Sequence, residues 1–490
     1  MAPDQQLSFH LNSTDPQEKR SPMGVSPEDG GRRVGTSGAR KHAQMEGPRG
    51  VWRPIHYLGS KLRLLEDICQ AVDEADPSGG TVLDLFAGSG TVSRAFSDRR
   101  RVICADVQEY SRVLCSAVLT PSSVNTDLAE NLIAIAKTGE AWRLLRWAVE
   151  PMIAAESEAL RLAQIGKPED LCEFLENCSL VVSEIGGVER SETAMGIAIR
   201  EARDRLARSG LEKDRHCVVT KYYGGLYFSF EQAAQIDALL AVVRELPESK
   251  RDTYLAAVLS TSSDVVNTVG KHFAQPIRPR GRDGRPKHNL VERVLQDRAT
   301  DVFERYGLWL RKYRGLAATA GSHKVIRGDF RDVLGGLGGE VSVVYADPPY
   351  TRDHYSRFYH VLETMCLGDV PSVATVKVGD RVRATRGVYR VERHQSPFSI
   401  KSQAPGAFWD LFDGVKRLQV PLVLSYSPYL ASSKERPRLM TLEGIEDLAR
   451  RCFGRVEVVN PGRLSHSKLN RADRNASIRR DAERLLICTP

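Results

Sequence analysis

The chain has 490 residues, of which 41% are hydrophobic and 27% are charged, with a formal net charge of +8 and a pI near 9.0. This length is enough for two or three domains, and the composition is that of an ordinary soluble protein. No apolar run approaches the length of a membrane span, and the first residues contain no signal-peptide core, so no membrane association is expected. The modest basic excess permits a polyanionic partner without requiring one.

The nine cysteines are scattered along the chain, with no Cys-x-x-Cys pair and no Cys/His cluster. Such spacing is typical of reduced thiols in the cytoplasm and argues against a structural metal site. We therefore expect a cytoplasmic protein that holds no metal.

The first 50 residues differ in composition from the rest of the chain. Residues 1–50 are rich in Gly, Pro, Ser and charge and have little periodicity, which predicts a disordered tail. We expect folded structure to begin near Trp52, with a loop at Tyr57-Leu58-Gly59-Ser60-Lys61. Apolar residues then recur at helical spacing from Leu62 to Val72.

A glycine-rich turn follows the first predicted strand. The strand Thr81–Asp84 leads into Leu85-Phe86-Ala87-Gly88-Ser89-Gly90 and then a helix start, where a backbone free of side chains can approach a ligand. A second strand, Val102–Ala105, ends at Asp106, and an acid at this position of a nucleotide-binding fold can accept from two ribose hydroxyls. The turn alone also fits an ordinary strand–helix connection, but together with the spaced acid it predicts a ligand site.

A long helical stretch separates the second strand from the third. Helical patterns dominate residues 119–321, which predicts an inserted, mainly helical domain between two core segments at 51–118 and 322–490. Inside it, glycine and proline exclude a helix at 276–288, so this stretch is interpreted as a basic loop or hairpin. It is either a solvated loop or a nucleic-acid contact, and its basic residues are Arg278, Arg280, Arg282, Arg285 and Lys287.

Strands resume after this stretch. They are predicted at Val325–Arg327, before Asp329, and at Val341–Ala346, Pro421–Tyr426 and Arg484–Cys488. Two further segments, 377–390 and 463–480, are strongly basic. Because strands alternate with helices, we expect an α/β fold with a doubly wound, mostly parallel sheet.

The strand at 341–346 stops at Asp347-Pro348-Pro349-Tyr350. The two prolines cannot continue a central strand, and they leave the carboxylate, the carbonyls and the ring little freedom. The acid and a carbonyl can accept the N–H bonds of a planar molecule that carries an amino group, and Tyr350 can stack on its face. The alternative is a strand that simply ends in a Pro-Pro turn.

As a set, these motifs resemble the Dam-like (alpha-group) DNA adenine methyltransferases, which use S-adenosylmethionine (SAM). Tyr57–Lys61 is similar to their N-terminal Tyr-x-Gly-x-Lys motif, and Asp84–Gly90 to their cofactor motif. Asp329-Phe330 is similar to their adenine-pocket Asp-Phe, and Asp347–Tyr350 to their catalytic Asp-Pro-Pro-Tyr. The order is also theirs, with a recognition domain inserted between the cofactor and catalytic motifs. Asn267–Phe273 resembles the segment before that domain's DNA-contacting hairpin.

The resemblance implies a Rossmann-like SAM-methyltransferase sheet and a set of cofactor contacts. The residues that it assigns to SAM are Tyr57, Lys61, Asp84, Phe86, Ala87, Gly88, Gly90, Asp106, Asp329 and Phe330. Lys61 would contact the methionine carboxylate, Asp106 the ribose hydroxyls, and Asp329 the adenine amino group. Phe330 would lie against the adenine ring.

The resemblance also implies a reaction. Asp347 and the carbonyl of Pro348 would hold the target amino group, with Pro349 completing the turn and Tyr350 stacking on a flipped base. This predicts transfer of a methyl group from SAM to N6 of adenine in double-stranded DNA. N4-cytosine methylation, RNA N6-adenine methylation and a catalytically inactive DNA-binding relative are the alternatives.

The biological setting follows from the resemblance alone. It suggests a role in restriction-modification or phage defence, with a cognate restriction endonuclease or other defence-system proteins as partners. The inserted domain is longer than in compact members of the family, so the recognition sequence does not transfer.

Overall fold

The computed structural model describes residues 52–186, 191–212, 214–316, 321–352, 355–427, 438–461 and 483–490. The predicted tail at 1–50 and the basic segment at 463–480 lie outside the described residues. Within the described ranges, no helix is both long enough and apolar enough to cross a membrane.

The centre of the fold is a seven-stranded sheet in the order β3-β2-β1-β4-β7-β9-β8. Its strands are β1 (Val82–Asp84), β2 (Val102–Asp106), β3 (Lys324–Arg327), β4 (Val343–Ala346), β7 (Leu422–Tyr426), β8 (Arg455–Val459) and β9 (Arg484–Thr489). Among these strands every pairing is parallel except the two made by β9. The predicted α/β class with a mostly parallel sheet is therefore confirmed.

Sequence patterns did not predict every strand. β8 was not predicted, nor was a separate antiparallel hairpin formed by β5 (Thr375–Val378) and β6 (Arg381–Ala384). β5, β6 and β8 are largely exposed and lack a continuous apolar run, so the pattern that marks a buried strand is absent from them.

Helices cover both faces of the sheet. The helices outside the long stretch between β2 and β3 are α1 (Leu65–Ala75), α2 (Thr91–Ser97), α3 (Glu109–Leu119), α15 (Phe330–Gly336), α16 (Tyr355–Phe358), α17 (His360–Leu367), α18 (Ala404–Leu418) and α19 (Leu442–Arg450). Alternate strand residues enter different hydrophobic clusters: Val82 and Val343 belong to one, Leu83 and Val344 to the other. This alternation is what a parallel sheet buried on both faces requires.

The stretch between α3 and β3 is helical. Its helices are α4 (Thr126–Thr138), α5 (Glu140–Ala148), α6 (Glu150–Gln164), α7 (Glu169–Asn177), α8 (Leu180–Gly186), α9 (Ala194–Arg208), α10 (Val218–Tyr223), α11 (Phe230–Arg244), α12 (Glu248–Val265), α13 (Leu290–Arg298) and α14 (Val302–Arg314). Leu239 and Tyr254 share a hydrophobic cluster with the sheet residue Val343, whereas Met152 and Leu171 belong to a cluster built without strands. Part of the helical stretch thus packs on the sheet, and part builds a core of its own.

A buried ion pair ties this second core together. Glu156 of α6 pairs with Arg298 at the end of α13, and their side chains are only 5% and 3% exposed. Glu156 also accepts a 2.9 Å hydrogen bond from the backbone N–H of Phe230, and Arg298 donates to the carbonyl of Gly225 at 2.6 Å. Removing Glu156 would take away the partner of both the buried Arg298 charge and the buried Phe230 N–H.

We predict that Glu156→Ala lowers the free energy of unfolding by about 3–5 kcal/mol, because an uncompensated buried charge is costly. Urea unfolding followed by circular dichroism measures this change. The matched control is Glu158→Ala, two residues further along α6, where an exposed acid pairs with Arg161 and should contribute little. If the two substitutions lower the free energy of unfolding equally, the buried ion pair of Glu156 is not the source of the stabilisation.

Candidate cofactor and substrate cleft

A cleft opens at the carboxyl ends of β1, β2, β3 and β4, the edge at which open α/β sheets bind ligands. It encloses about 1110 Å³, its open mouth included. Its walls come from residues 57–61, 84–89, 91–92, 106–108, 328–330, 345 and 347–349, with further residues at 355–356, 394, 396–397 and 399; the predicted Gly90 is not among them. The predicted cofactor and catalytic motifs therefore meet at one edge of the sheet.

The glycine turn depends on two left-handed residues. Gly88 has φ +55° and Gly90 has φ +74°, a region that side chains disfavour. A Cβ atom on Gly88 would also lie 2.7 Å from the hydroxyl oxygen of Tyr57. Glycine at 88 is needed because the Tyr57 loop closes over the turn, a constraint that the sequence pattern did not reveal.

Asp106 ends β2 with its carboxylate directed at the turn. Its oxygens accept N–H bonds from Gly88 at 3.0 Å and from Gln108 at 2.9 Å. Burial raises the pKa of Asp106, and the two backbone N–H bonds oppose that shift. A carboxylate oxygen can accept more than one hydrogen bond, so Asp106 retains capacity for a ligand hydroxyl.

The end of β3 brings a second acid beside an aromatic wall. Asp329 caps α15 by accepting the N–H of Arg331 at 3.0 Å. Phe330 is buried against Phe86 and Phe398, with ring centroids 5.8 Å and 5.1 Å away. An acceptor next to a planar apolar surface suits a base-like ring that carries an amino group.

Asp84 lies in the floor of the cleft and is 1% exposed. One of its oxygens accepts the hydroxyl of Ser93 at 2.6 Å. Burial raises the pKa of Asp84 to about 7, against the effect of the Ser93 bond, and the negative charges of Asp347 and Asp106 add to the rise. Near neutral pH this carboxyl is poised between its two protonation states.

Lys61 is buried between two carboxylates. Its ammonium lies 3.1 Å from Asp347 and pairs with Glu483, which also accepts from the hydroxyl of Ser425 at 3.0 Å. Burial alone would lower the pKa of Lys61, but the charges of Asp347 and Glu483 outweigh it and raise the pKa well above its ordinary value. Lys61 therefore stays charged and fixes the position of Asp347.

The Asp-Pro-Pro-Tyr segment leaves β4 directly into the cleft. Asp347, whose side chain is 22% exposed, lines the cleft together with Pro348 and Pro349. Among the described residues, Tyr350 is not part of that lining. Its ring packs against Tyr426 at 5.5 Å, with the guanidinium of Arg438 at 4.8 Å from its centroid.

The predicted nucleic-acid residues lie on a tight turn elsewhere on the described surface. The backbone of residues 279–287 folds back on itself through N–H bonds from Gly281 to the Arg285 carbonyl (2.7 Å) and from Lys287 to the Pro279 carbonyl (2.9 Å). Their side chains are exposed at Arg278, Arg282, Arg285 and Lys287. Arg280 is half-buried, 3.4 Å from Glu176.

Sequence reasoning missed a histidine of the cleft lining and the buried partner of Lys61. His394 lies near Asp329 and Asp106, whose charges oppose the lowering of the His394 pKa by burial. Glu483 reaches Lys61 across 422 residues of chain. No motif or spacing marks either residue, because both belong to segments without a periodic pattern. Within the described ranges, no group of three or more His, Cys, Asp or Glu could hold a metal ion.

Comparisons with known proteins agree with the motifs. Residues 57–141 match the family model described as D12 class N6 adenine-specific DNA methyltransferase. This span contains Tyr57, the glycine turn and Asp106, but it ends before Asp347.

Curated relatives extend the similarity over more of the chain. The modification methylase LlaI of Lactococcus lactis subsp. lactis is 23% identical over 81% of this chain and 49% of its own length. The type II methyltransferase M.NlaIII of Neisseria lactamica is 25% identical over 64% of this chain and 70% of its own. The type II methyltransferase M.FokI of Planomicrobium okeanokoites is 22% identical over 65% of this chain and 38% of its own. The chain thus spans about half the length of the first relative, and no solved structure matches it significantly.

The sheet order and the cleft at its carboxyl edge define a Rossmann-like methyltransferase fold. The matches to the D12-class family model and to these relatives confirm the predicted resemblance to the Dam-like DNA adenine methyltransferases.

The raised pKa of Asp84 predicts a pH-dependent stability. In the folded protein this carboxyl titrates at about 7 instead of its ordinary 3.8, so the native state binds the proton more tightly than the unfolded chain does. The stabilisation from the protonated form is complete below about pH 4 and is lost as the pH rises towards 7. Relative to Asp84→Asn, the wild-type protein should lose up to about 1.4 kcal/mol per pH unit across this window.

Urea unfolding of both proteins at pH 4.5, 5.5 and 7 measures this loss. Ser93→Ala removes the hydroxyl that favours the carboxylate, so it should move the transition to higher pH. Parallel pH profiles of wild-type protein and Asp84→Asn would show that the titration is wrongly assigned.

Proposed function

We propose that the chain is a SAM-dependent DNA methyltransferase that transfers a methyl group to the N6 amino group of adenine. The observation that carries this proposal is the meeting of Asp347 with Asp106 and Asp329 in one cleft. Asp347, on the rigid Pro-Pro turn, would accept from the substrate, and it faces the same space as Asp106 and Asp329, which suit a nucleoside cofactor.

The residues present fit SAM. The glycine turn brings bare backbone to the cleft, and Asp106 has acceptor capacity for a hydroxyl pair. Asp329 and Phe330 offer an acceptor and a ring surface for adenine. Lys61 already pairs with Asp347 and Glu483, so a methionine carboxylate would take the third N–H of its ammonium. When bound, SAM supplies a methyl group on a positively charged sulfur.

The side chains around Asp347 would make the target amino group nucleophilic. The lone pair of that nitrogen is delocalised into the base, so it is a poor nucleophile on its own. Accepting its two N–H groups at Asp347 and the Pro348 carbonyl favours an sp³-like nitrogen and aims the lone pair at the methyl group. Lys61, 3.1 Å from the Asp347 carboxyl, would hold that group in position.

The target base must leave the duplex to reach this edge of the sheet. Flipping costs a few kcal/mol, and stacking on an aromatic ring returns about 1–3 kcal/mol. Tyr350 is proposed as that ring.

The partner of this site is proposed to be double-stranded DNA. The exposed basic residues of the turn at 278–287 would neutralise phosphates, and helices of the segment 119–321 would form the recognition domain. The first relatives are named as modification or type II methyltransferases, which supports a restriction-modification or phage-defence role with a cognate endonuclease or other defence proteins. N4-cytosine methylation, RNA methylation and an inactive DNA-binding relative are distinguished from this proposal by nucleoside analysis of treated DNA and RNA.

We predict that Asp347→Ala lowers the rate of methyl transfer at least about 100-fold, because it removes the acceptor that is positioned for the reacting nitrogen. Incorporation of tritiated methyl groups from SAM into plasmid DNA measures the rate. SAM affinity should change little, since Lys61 keeps Glu483 as its partner. Methyl transfer at the wild-type rate in this variant would remove Asp347 from the mechanism.

We predict the opposite pattern for the acids assigned to the cofactor. Asp106→Ala and Asp329→Ala should each weaken SAM binding about tenfold or more, since each removes a charged acceptor. Isothermal titration calorimetry measures the affinity, and Asp332→Ala, an exposed acid three residues from Asp329, is the matched control. Unchanged affinity in both cleft variants would exclude this cofactor pocket.

A further inference from the structure

We propose that the β5–β6 hairpin is a second DNA-reading element, a ribbon that lies in the major groove with the face formed by Val376, Val378, Arg381 and Arg383. This inference rests on the proposed function and adds to it the element that would contact base edges. A two-stranded ribbon matches the width of the major groove of B-DNA, which is about 12 Å.

The strand register defines the two faces of the ribbon. Val376 lies opposite Arg383 and Val378 opposite Arg381, so these two pairs share one face. The other face carries Lys377 opposite Val382 and Thr375 opposite Ala384. The first face thus presents two arginines beside two apolar side chains, whereas the second holds a single charge.

This combination of side chains matches the chemistry of the major groove. Arginine can form paired hydrogen bonds with a guanine edge or bind a phosphate, and an aliphatic side chain can contact the thymine methyl group. The net positive charge of the first face complements a polyanion.

The ribbon is unusually exposed for an element with apolar residues. All four residues of β5 are exposed, and Val376, Val378 and Val382 are 46%, 55% and 54% exposed. A lone two-stranded hairpin is only marginally stable in water, and its outer strand edges invite a partner. Val376 and Val378 contribute little to the hydrophobic core, and on the proposed face they lie beside two arginines, as a surface that binds DNA would require.

The base of the ribbon is firmly held. Arg390 is 5% exposed and makes two 2.6 Å hydrogen bonds to Asp369. The N–H of Ala374 bonds to the Tyr389 carbonyl at 2.8 Å, and the Tyr389 hydroxyl donates to the carbonyl of Ala274. An element projecting from a fixed base loses little freedom on binding, which favours affinity.

The same anchor connects the ribbon to the other parts of the proposed site. Arg386, just after β6, donates to the carbonyl of Ile277 at 3.0 Å, next to the basic turn at 278–287. The chain that leaves Arg390 reaches the cleft within a few residues, where His394 and Ser396 line its wall. Ribbon, basic turn and cleft are therefore joined by short, hydrogen-bonded segments.

The structure also separates the charges of the predicted basic segment 377–390. Arg390 is buried in its pair with Asp369, and Arg386 is engaged with Ile277. Lys377, Arg381 and Arg383 remain exposed on the strands themselves. Of these three, Arg381 and Arg383 lie on the same face and Lys377 lies on the other. The variants below therefore change either the two arginines or the lysine.

The test compares Arg381→Gln/Arg383→Gln with Lys377→Gln on the opposite face. Binding to a fluorescent linear plasmid fragment is measured by anisotropy between 50 and 200 mM NaCl, concentrations chosen because counterion release is steep there. We expect the double variant to bind about tenfold or more weakly, with a shallower slope of log K against log salt, because two positive charges are removed from the face that meets the polyanion. Lys377→Gln should behave as the wild-type protein, and all variants should bind SAM normally.

A second variant tests the apolar part of the face. Val376→Thr/Val378→Thr keeps β-branched side chains, so the hairpin should persist, while the apolar contacts to the groove are weakened. Methylation-aware sequencing of host DNA should show reduced or less selective methylation for this variant. Val382→Thr on the opposite face should leave the methylation pattern unchanged.

Several outcomes would overturn the proposal. Wild-type DNA affinity and salt slope in Arg381→Gln/Arg383→Gln would do so, as would equal losses in Lys377→Gln. If Arg381→Gln/Arg383→Gln instead changes the self-association of the protein, measured by light scattering, and leaves DNA binding intact, the face is a contact between copies of the chain. If the wild-type protein binds DNA but methylates none, the proposed function fails, while the comparison of the two faces still decides the role of the ribbon.

Discussion

The buried ammonium of Lys61 is the interaction on which the cleft depends. It joins three segments that are far apart in the chain: the loop before α1, the Asp347 turn after β4 and Glu483 at the start of β9. Neither carboxylate could be buried at low cost without a positive charge between them. Because Glu483 and Asp347 together keep Lys61 charged, its ammonium holds the acid assigned to catalysis by the proposed function in place at the mouth of the sheet.

The same edge of the sheet carries four aspartates in four different environments. Asp347 is paired with a cation, Asp106 accepts two backbone N–H bonds, and Asp329 caps a helix. Asp84, buried and bonded to one hydroxyl, instead moves its pKa to about 7. Burial raises the pKa of both Asp84 and Asp106, and carboxyls with raised pKa values in one cleft are typical of a functional site.

The proposed DNA-binding elements stand on a shared support outside the sheet. The basic turn at 278–287 and the β5–β6 ribbon are linked through Arg386 and Tyr389, and the ribbon continues into the cleft wall at His394. A recognition surface built this way can position a duplex relative to the Asp347 turn.

The sequence by itself determined the buried parallel strands, the residues at their ends and the resemblance of the motifs, because local apolar runs and fixed glycine and proline positions carry that information. Only the tertiary structure decided that Glu483 partners Lys61, that Tyr57 requires glycine at 88, and that β5 and β6 form an exposed ribbon. Contacts such as these join residues that are distant in the chain or that lie at the surface. No periodic pattern in the sequence indicates the partners of such residues. The physical reason is that burial leaves a local signature in sequence, whereas the pairing of charges across a fold does not.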